Sequence, residues 1–220
     1  MRGCSLSIRV RRAIRGGIKL AAMPISGIIF DLDGTLVDSG LDFDAMRREM
    51  GLPAGMPILE GIKTLASNEA DRCWQILHEH EWAGYERATL LPGAAELLAW
   101  LRERALRIGI VTRNSRDVSV ASLSRLKVTY DALLTRDDGA IKPDPWPVAE
   151  ICRLWDMPAR RVVMIGDFRF DVEAGRAAGT RTVLLAGVDP AAYPNKERAD
   201  KVLSSLTQWR ELLAWLNTIS

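Results

Sequence analysis

An α/β fold is predicted: a parallel sheet with helices on both faces, interrupted after its first strand by a small all-helical insert. Three observations predict it. From residue 94 onward short apolar runs alternate with helical patterns, as in successive βαβ crossovers. Between Ser39 and Leu91 only helical patterns occur, with no strand candidate. Polar residues collect where the apolar runs end, and in a parallel sheet those ends share one ligand-binding edge. At 220 residues the chain can build one large core plus a small insert. A hydrophobic fraction of 48% and a charged fraction of 26% are those of an ordinary soluble globular protein. No run of 18 apolar residues exists, so no membrane partner is expected.

The elements follow in order. Gly27-Ile28-Ile29-Phe30 reads as a buried strand, ending in Asp31-Leu32-Asp33-Gly34-Thr35. Helical periodicity covers Leu41–Met50, breaks at Gly51-Leu52-Pro53-Ala54-Gly55 and resumes over Ile58–Leu65. Asn68-Glu69-Ala70-Asp71 reads as the start of a long helix, Glu69 to Arg87, and Leu91-Pro92-Gly93 closes the insert. Helices are then predicted at Ala94–Arg104, Ser115–Leu126, Pro147–Trp155, Val172–Ala178 and Leu206–Leu216. Strands are predicted between them at Arg107–Thr112, Ala132–Leu134, Arg161–Ile165 and Arg181–Leu185, and Gly179 suits the left-handed residue that ends a helix.

Charge is distributed unevenly. Residues 1–22 carry Arg2, Arg9, Arg11, Arg12, Arg15 and Lys19 without an acid, which is +6; the chain is +2, so the remainder is −4. The basic balance therefore resides in this extension and gives no reason to expect a nucleic-acid partner. The extension is read as a disordered tail or as sequence upstream of a true start at Met23, with a targeting segment as the alternative. Three scattered cysteines, Cys4, Cys73 and Cys152, suggest a reducing, cytoplasmic setting, with Cys73 and Cys152 as buried thiols.

The residues ending the strands carry the chemistry. Asp31 and Asp33 are two apart, so both can point into one pocket as the strand gives way to a loop. Two carboxylates there repel each other unless a cation or a shared proton relieves them. Thr112 ends the second long strand and is followed by Arg113-Asn114. Asp167 follows Gly166, with Asp171 four residues on, and Lys142 lies in Ala140-Ile141-Lys142-Pro143-Asp144-Pro145. The acids suit a hard divalent cation such as Mg²⁺. Thr112 and Lys142 supply the donors and positive charge that a phosphoryl group needs.

These four segments, in this order, resemble the haloacid dehalogenase superfamily of phosphotransferases, over about residues 25 to 190. The resemblance implies a Rossmann-like core formed by residues 23–39 and 92–220, with residues 40–91 as a helical cap, in a phosphoglycolate phosphatase-like branch. It implies a cytoplasmic Mg²⁺-dependent hydrolase of a small phosphate ester, a monomer or homodimer. Asp31 would be the nucleophile that forms an aspartyl-phosphate, and Asp33 the general acid and base. Metal binding would fall to Asp31, the Asp33 backbone carbonyl, Asp167 and Asp171; Thr112 and Lys142 would bind phosphoryl oxygens. Asp33 favours phosphoester chemistry over halide displacement, which needs no proton. A phosphomutase built on the same core is the alternative, and a non-catalytic binding module a third reading.

Two features depart from the family pattern. Arg113 separates Thr112 from Asn114; Asn114 is expected to face the substrate, and Arg113 to bind an anionic substrate tail or form a surface salt bridge. The cap, about 50 residues, is short for the branch. Other polar residues have plainer readings. Asp38 and Asp137-Asp138-Gly139 read as turns. His78 and His80 lie two apart on a helix, about 200° around its axis, which disfavours a shared metal.

Overall fold

The computed structural model describes residues 25–187 and 196–219. Residues 1–22, with their basic charge, lie outside the described residues. Six parallel strands form the main sheet: β1 (Gly27–Phe30), β4 (Arg107–Val111), β5 (Ala132–Leu134), β6 (Val162–Gly166), β7 (Arg181–Leu185) and β8 (Lys201–Leu203). Their order is β5-β4-β1-β6-β7-β8, so the chain turns back across β1 and opens a crevice at the carboxyl ends of β1 and its neighbours.

Side-chain alternation divides the core between the two faces of the sheet. Ile28, Phe30, Ile108, Ile110, Val163 and Ile165 join one cluster. It includes Leu97 and Leu101 of α4 (Ala94–Glu103), Leu123 of α5 (Arg116–Arg125) and Leu212 of α8 (Trp209–Leu216). Ile29, Val111, Val162 and Met164 point the other way, with Val148 and Ile151 of α6 (Trp146–Leu154) and Ala174 of α7 (Arg169–Ala177). This is the covered parallel sheet the alternating pattern predicts. Trp155 is a packing residue: a Cβ on Gly27 or Gly109, on adjacent strands, would come within 2.6 or 3.0 Å of its ring.

The insert holds three helices, α1 (Phe43–Met50), α2 (Ile58–Lys63) and α3 (Ser67–Arg87), around a third apolar cluster that includes Met46, Met50, Ile62, Cys73 and Leu77. Asp42 caps α1 by accepting from the Ala45 N–H at 2.8 Å. Both described cysteines are free and buried, and burial raises the Cys152 thiol to about 11.

Several expectations need correction. The stretch from Ser39 to Leu91 does contain a strand: β3 (Thr89–Leu90) pairs antiparallel with β2 (Val37–Asp38), on the two crossings into and out of the insert. Such a two-residue ribbon leaves too short a pattern to read. α3 starts at Ser67, ahead of Asn68, and Ala66 precedes it with no side-chain cap. α7 starts three residues earlier than Val172, because Asp171 sits on its first turn and accepts from the Phe168 N–H at 3.0 Å. The edge strand β8 has only three residues, too few to show a period in the sequence. The exposed turn expected at Asp137-Asp138-Gly139 is present, and its acids also anchor neighbouring backbone. Asp137 accepts from the Arg116 N–H (2.7 Å), and Asp138 from Arg116 (2.5 Å) and the Thr135 N–H (2.8 Å). Among the described residues no helix is long and apolar enough to cross a membrane.

Candidate active site

Three of the site residues stand just past strand ends. Asp31 follows β1, Thr112 follows β4 and Asp167 follows β6, and the parallel register brings them to one edge. Lys142, on the loop between β5 and α6, is buried with 2% side-chain exposure. Its Nζ donates to Asp31 Oδ1 and to Asp171 Oδ1, both at 2.6 Å. Thr35 Oγ1 donates to Asp167 Oδ1 at 3.1 Å. Carboxylate oxygens of Asp31, Asp167 and Asp171 lie within 4.8 Å of one another.

This crowding has an electrostatic signature. Burial, then the charges of Asp31 and Asp171, push Asp167 up to about 8. Burial also raises Asp171 to about 6, although Lys142 pulls it back. Burial alone would lower Lys142, but Asp171 and Asp31 more than offset it and hold the ammonium above its ordinary range. One ammonium thus faces three carboxylates. An all-oxygen set with surplus negative charge fits a hard divalent ion of the Mg²⁺ type.

Two glycines make room for the acids. At Gly34 (φ +83°) a Cβ would fall 2.4 Å from an Asp167 carboxylate oxygen, and at Gly166 one would fall 2.2 Å from Asp171 Cγ. Gly34 also adopts the left-handed backbone that closes the loop after Asp33.

Asp33 is set apart from the other acids. Ser39 Oγ donates to its Oδ1 (2.6 Å) and Asn114 Nδ2 to its Oδ2 (3.2 Å). Burial raises its pKa, partly countered by the Ser39 hydrogen bond, and the nearby Asp31 charge raises it further. Asn114, expected to face the substrate, lines the cavity beside the acids; its amide nitrogen donates to Asp33, and its Oδ1 accepts from the Ser115 N–H at 2.8 Å. For Arg113 an anionic substrate tail or a surface salt bridge is the expectation, and it forms a salt bridge: Nη2 donates to the half-exposed Glu60 Oε2 of α2 at 2.5 Å, Nη1 donates to the Lys142 carbonyl, and the guanidinium lies 4.7 Å from the Phe170 ring centroid. The ion pair joins core to insert, and it holds Glu60 below its usual range despite the desolvation that opposes it. Thr112 is buried, and its Oγ1 accepts from the Asn114 N–H at 3.0 Å.

Sequence reading missed Ser39, Glu60 and Glu81. Glu81 of α3 is 4% exposed and accepts from the two terminal guanidinium nitrogens of Arg136, Nη1 and Nη2. Both glutamates look like ordinary helix-surface acids until the insert is docked. Ser39 offered only its nearness to the aspartate loop. The two histidines go separate ways: Trp82 Nε1 donates to His78 Nε2 (3.0 Å), and His80 Nε2 meets Glu49 at 2.8 Å.

A family model described as haloacid dehalogenase-like hydrolase matches residues 41–185. A haloacid dehalogenase-like hydrolase domain-containing protein of Arabidopsis thaliana is 31% identical over 173 residues, 73% of this chain and 71% of that protein. A plasmid-borne phosphoglycolate phosphatase of Cupriavidus necator is 30% identical over 87% of this chain and 94% of its own. Among solved structures, a hydrolase from Pseudomonas syringae superposes with a TM-score of 0.70 at 25% identity, covering 86% of this chain and 98% of that one.

Proposed function

The chain belongs to the haloacid dehalogenase-like hydrolases, and from that premise we propose that it is a Mg²⁺-dependent phosphatase of small phosphomonoesters. The observation that carries this reading is the division of labour between two aspartates one residue apart. Asp31 lies with Lys142 and the metal-type acids, whereas Asp33 is half-buried and hydrogen-bonded to Ser39 and Asn114.

Asp31, Asp167 and Asp171 would hold the metal through their carboxylates, with Asp33 contributing its backbone carbonyl. When bound, Mg²⁺ offsets the negative charge of the phosphoryl oxygens. Lys142 and Thr112 bind those oxygens. Asp31 attacks phosphorus, forming an Oδ–P bond as the bond to the leaving oxygen breaks. Asp33 gives its proton to that oxygen. It then takes a proton from the water that attacks phosphorus, which releases phosphate and restores the Asp31 carboxylate. Burial raises Asp33, which helps it carry the proton for the first step.

Purified protein should release phosphate from a generic phosphomonoester with Mg²⁺ and stop when the metal is chelated. Asp31→Asn should abolish turnover, because an amide is a poor nucleophile; full activity in that variant would sink the reading. Following the organic product by NMR separates hydrolysis from phosphate migration within the substrate.

A further inference from the structure

A cavity of about 400 Å³ lies between the acid cluster and the insert, a size suited to a small molecule. From the insert, its wall includes Leu41, Phe43, Pro57, Ile58, Leu59 and Leu77. Two polar side chains of the insert also reach it, Arg47 and Glu81, and both are engaged. Arg47 donates through its terminal nitrogens to Asp44 (2.6 Å) and to the Met56 carbonyl (3.3 Å), while its Nε is buried without a hydrogen-bond partner. Glu81 holds Arg136 through both oxygens. On the core side, Arg113 is bound to Glu60 and Asn114 to Asp33. Arg169 also lines the cavity and lies over the Phe168 and Phe170 rings, so beyond the acid cluster a leaving group meets mainly the aliphatic side chains of the insert, where burying a hydroxyl is costly.

A second observation points the same way. Among the described residues four large hydrophobic side chains are exposed, Phe43, Val120, Leu154 and Phe168, and two of them line this cavity. Phe43 is 48% exposed and Phe168 47%. Phe168 meets Phe170 edge to face at 5.0 Å, so the core side offers an aromatic pair, with the Arg113 and Arg169 guanidinium groups over Phe170, while the insert offers mainly apolar side chains.

We propose that this cavity selects phosphomonoesters whose leaving group is an apolar alkyl or aryl body over esters of sugars and other polyols. The proposal rests on the phosphatase reading above. The phosphoryl group would sit at Asp31, Thr112 and Lys142, with the apolar body against Phe43, Leu59 and Leu77.

The test uses the full chain with Mg²⁺. Methyl, butyl and hexyl phosphate have leaving groups of similar basicity, so a trend along them reports binding of the chain. The ratio kcat/KM should rise about fourfold per methylene until the cavity fills, the worth of burying one CH₂. Hexyl phosphate should also exceed glycerol 3-phosphate and glucose 6-phosphate. A flat series, or a preferred polyol ester, overturns the proposal. Phe43→Ala changes an exposed residue at the start of α1, and thermal melting checks its fold. It should cut the hexyl-to-methyl ratio several-fold, and an unchanged ratio also overturns the proposal. If no ester is turned over, the phosphatase reading falls. Calorimetry with methyl- and hexylphosphonate then decides the roof separately: tighter hexyl binding upholds it, and equal affinities overturn it.

Discussion

Asp33 differs from Asp31 by partners more than by position. Its carboxylate meets a hydroxyl and an amide, whereas Asp31 meets the Lys142 ammonium. Asp33→Asn should keep the metal-type acids in place and slow turnover by about 10²–10⁴-fold, the usual scale for losing general acid–base help. The loss should be smaller for esters with good leaving groups, which need less protonation, and a leaving-group series measures this. The acids and Lys142 were legible because each ends an apolar run or sits in a short motif. Asn114 was legible as a site residue but not in its contact. Its bond to Asp33 joins two loops 81 residues apart, and periodicity carries no such information.

At the scale of elements, the insert is docked by side chains from loops and helices of the core. Arg113 reaches Glu60 on α2, Arg136 reaches Glu81 on α3, and Arg125 of α5 donates to the carbonyls of Tyr85 and Ala88 at the end of α3. Ile141, beside Lys142, packs on the insert's apolar cluster. Glu81→Ala strands a nearly buried guanidinium, and breaking such a pair costs about 3–5 kcal/mol. The expected result is a lower denaturation midpoint and faster proteolysis near residues 39 and 88, with Glu81→Leu combined with Arg136→Met recovering much of the loss.

A second junction lies at the far end of β4. There Asp131 accepts from the Ile108 N–H (2.8 Å), Arg102 (2.7 Å) and Arg107 (3.3 Å). Burial opposes its ionisation, but these donors prevail and hold its pKa below the ordinary carboxylate value. Its stabilisation is therefore present above the unfolded-state pKa and is lost as pH falls through the lower folded-state value. Asp131→Asn should cost about 1–3 kcal/mol at neutral pH. That gap should close below about pH 4 in urea titrations of the two proteins. Long helices and buried strands were legible at this scale through period and length. The ribbon of β2 and β3, the strand β8 and the ion pairs were not, because each depends on partners distant in sequence.

For the whole molecule, three crowded carboxylates facing one ammonium store repulsion that a cation would relieve. Mg²⁺ at a hundredfold excess over its Kd should stabilise the native state by about 2.7 kcal/mol. For a chain of this size that corresponds to a Tm rise of about 5–10 °C, which calorimetry with and without chelator measures; Asp171→Asn should shrink it. The fold class was legible throughout, since a doubly covered parallel sheet writes itself as alternating apolar runs and helices. The shape of the cavity was not, because it is formed only where the insert meets the sheet edge. That insert enters and leaves through a stem two residues wide, Val37-Asp38 against Thr89-Leu90. Its ends are therefore neighbours, and exchanging what lies beyond them would cost little in loop closure. The molecule is in effect a tool with an interchangeable head: graft another helical insert of different lining onto the same stem, and the reactive edge would stay while its diet changed.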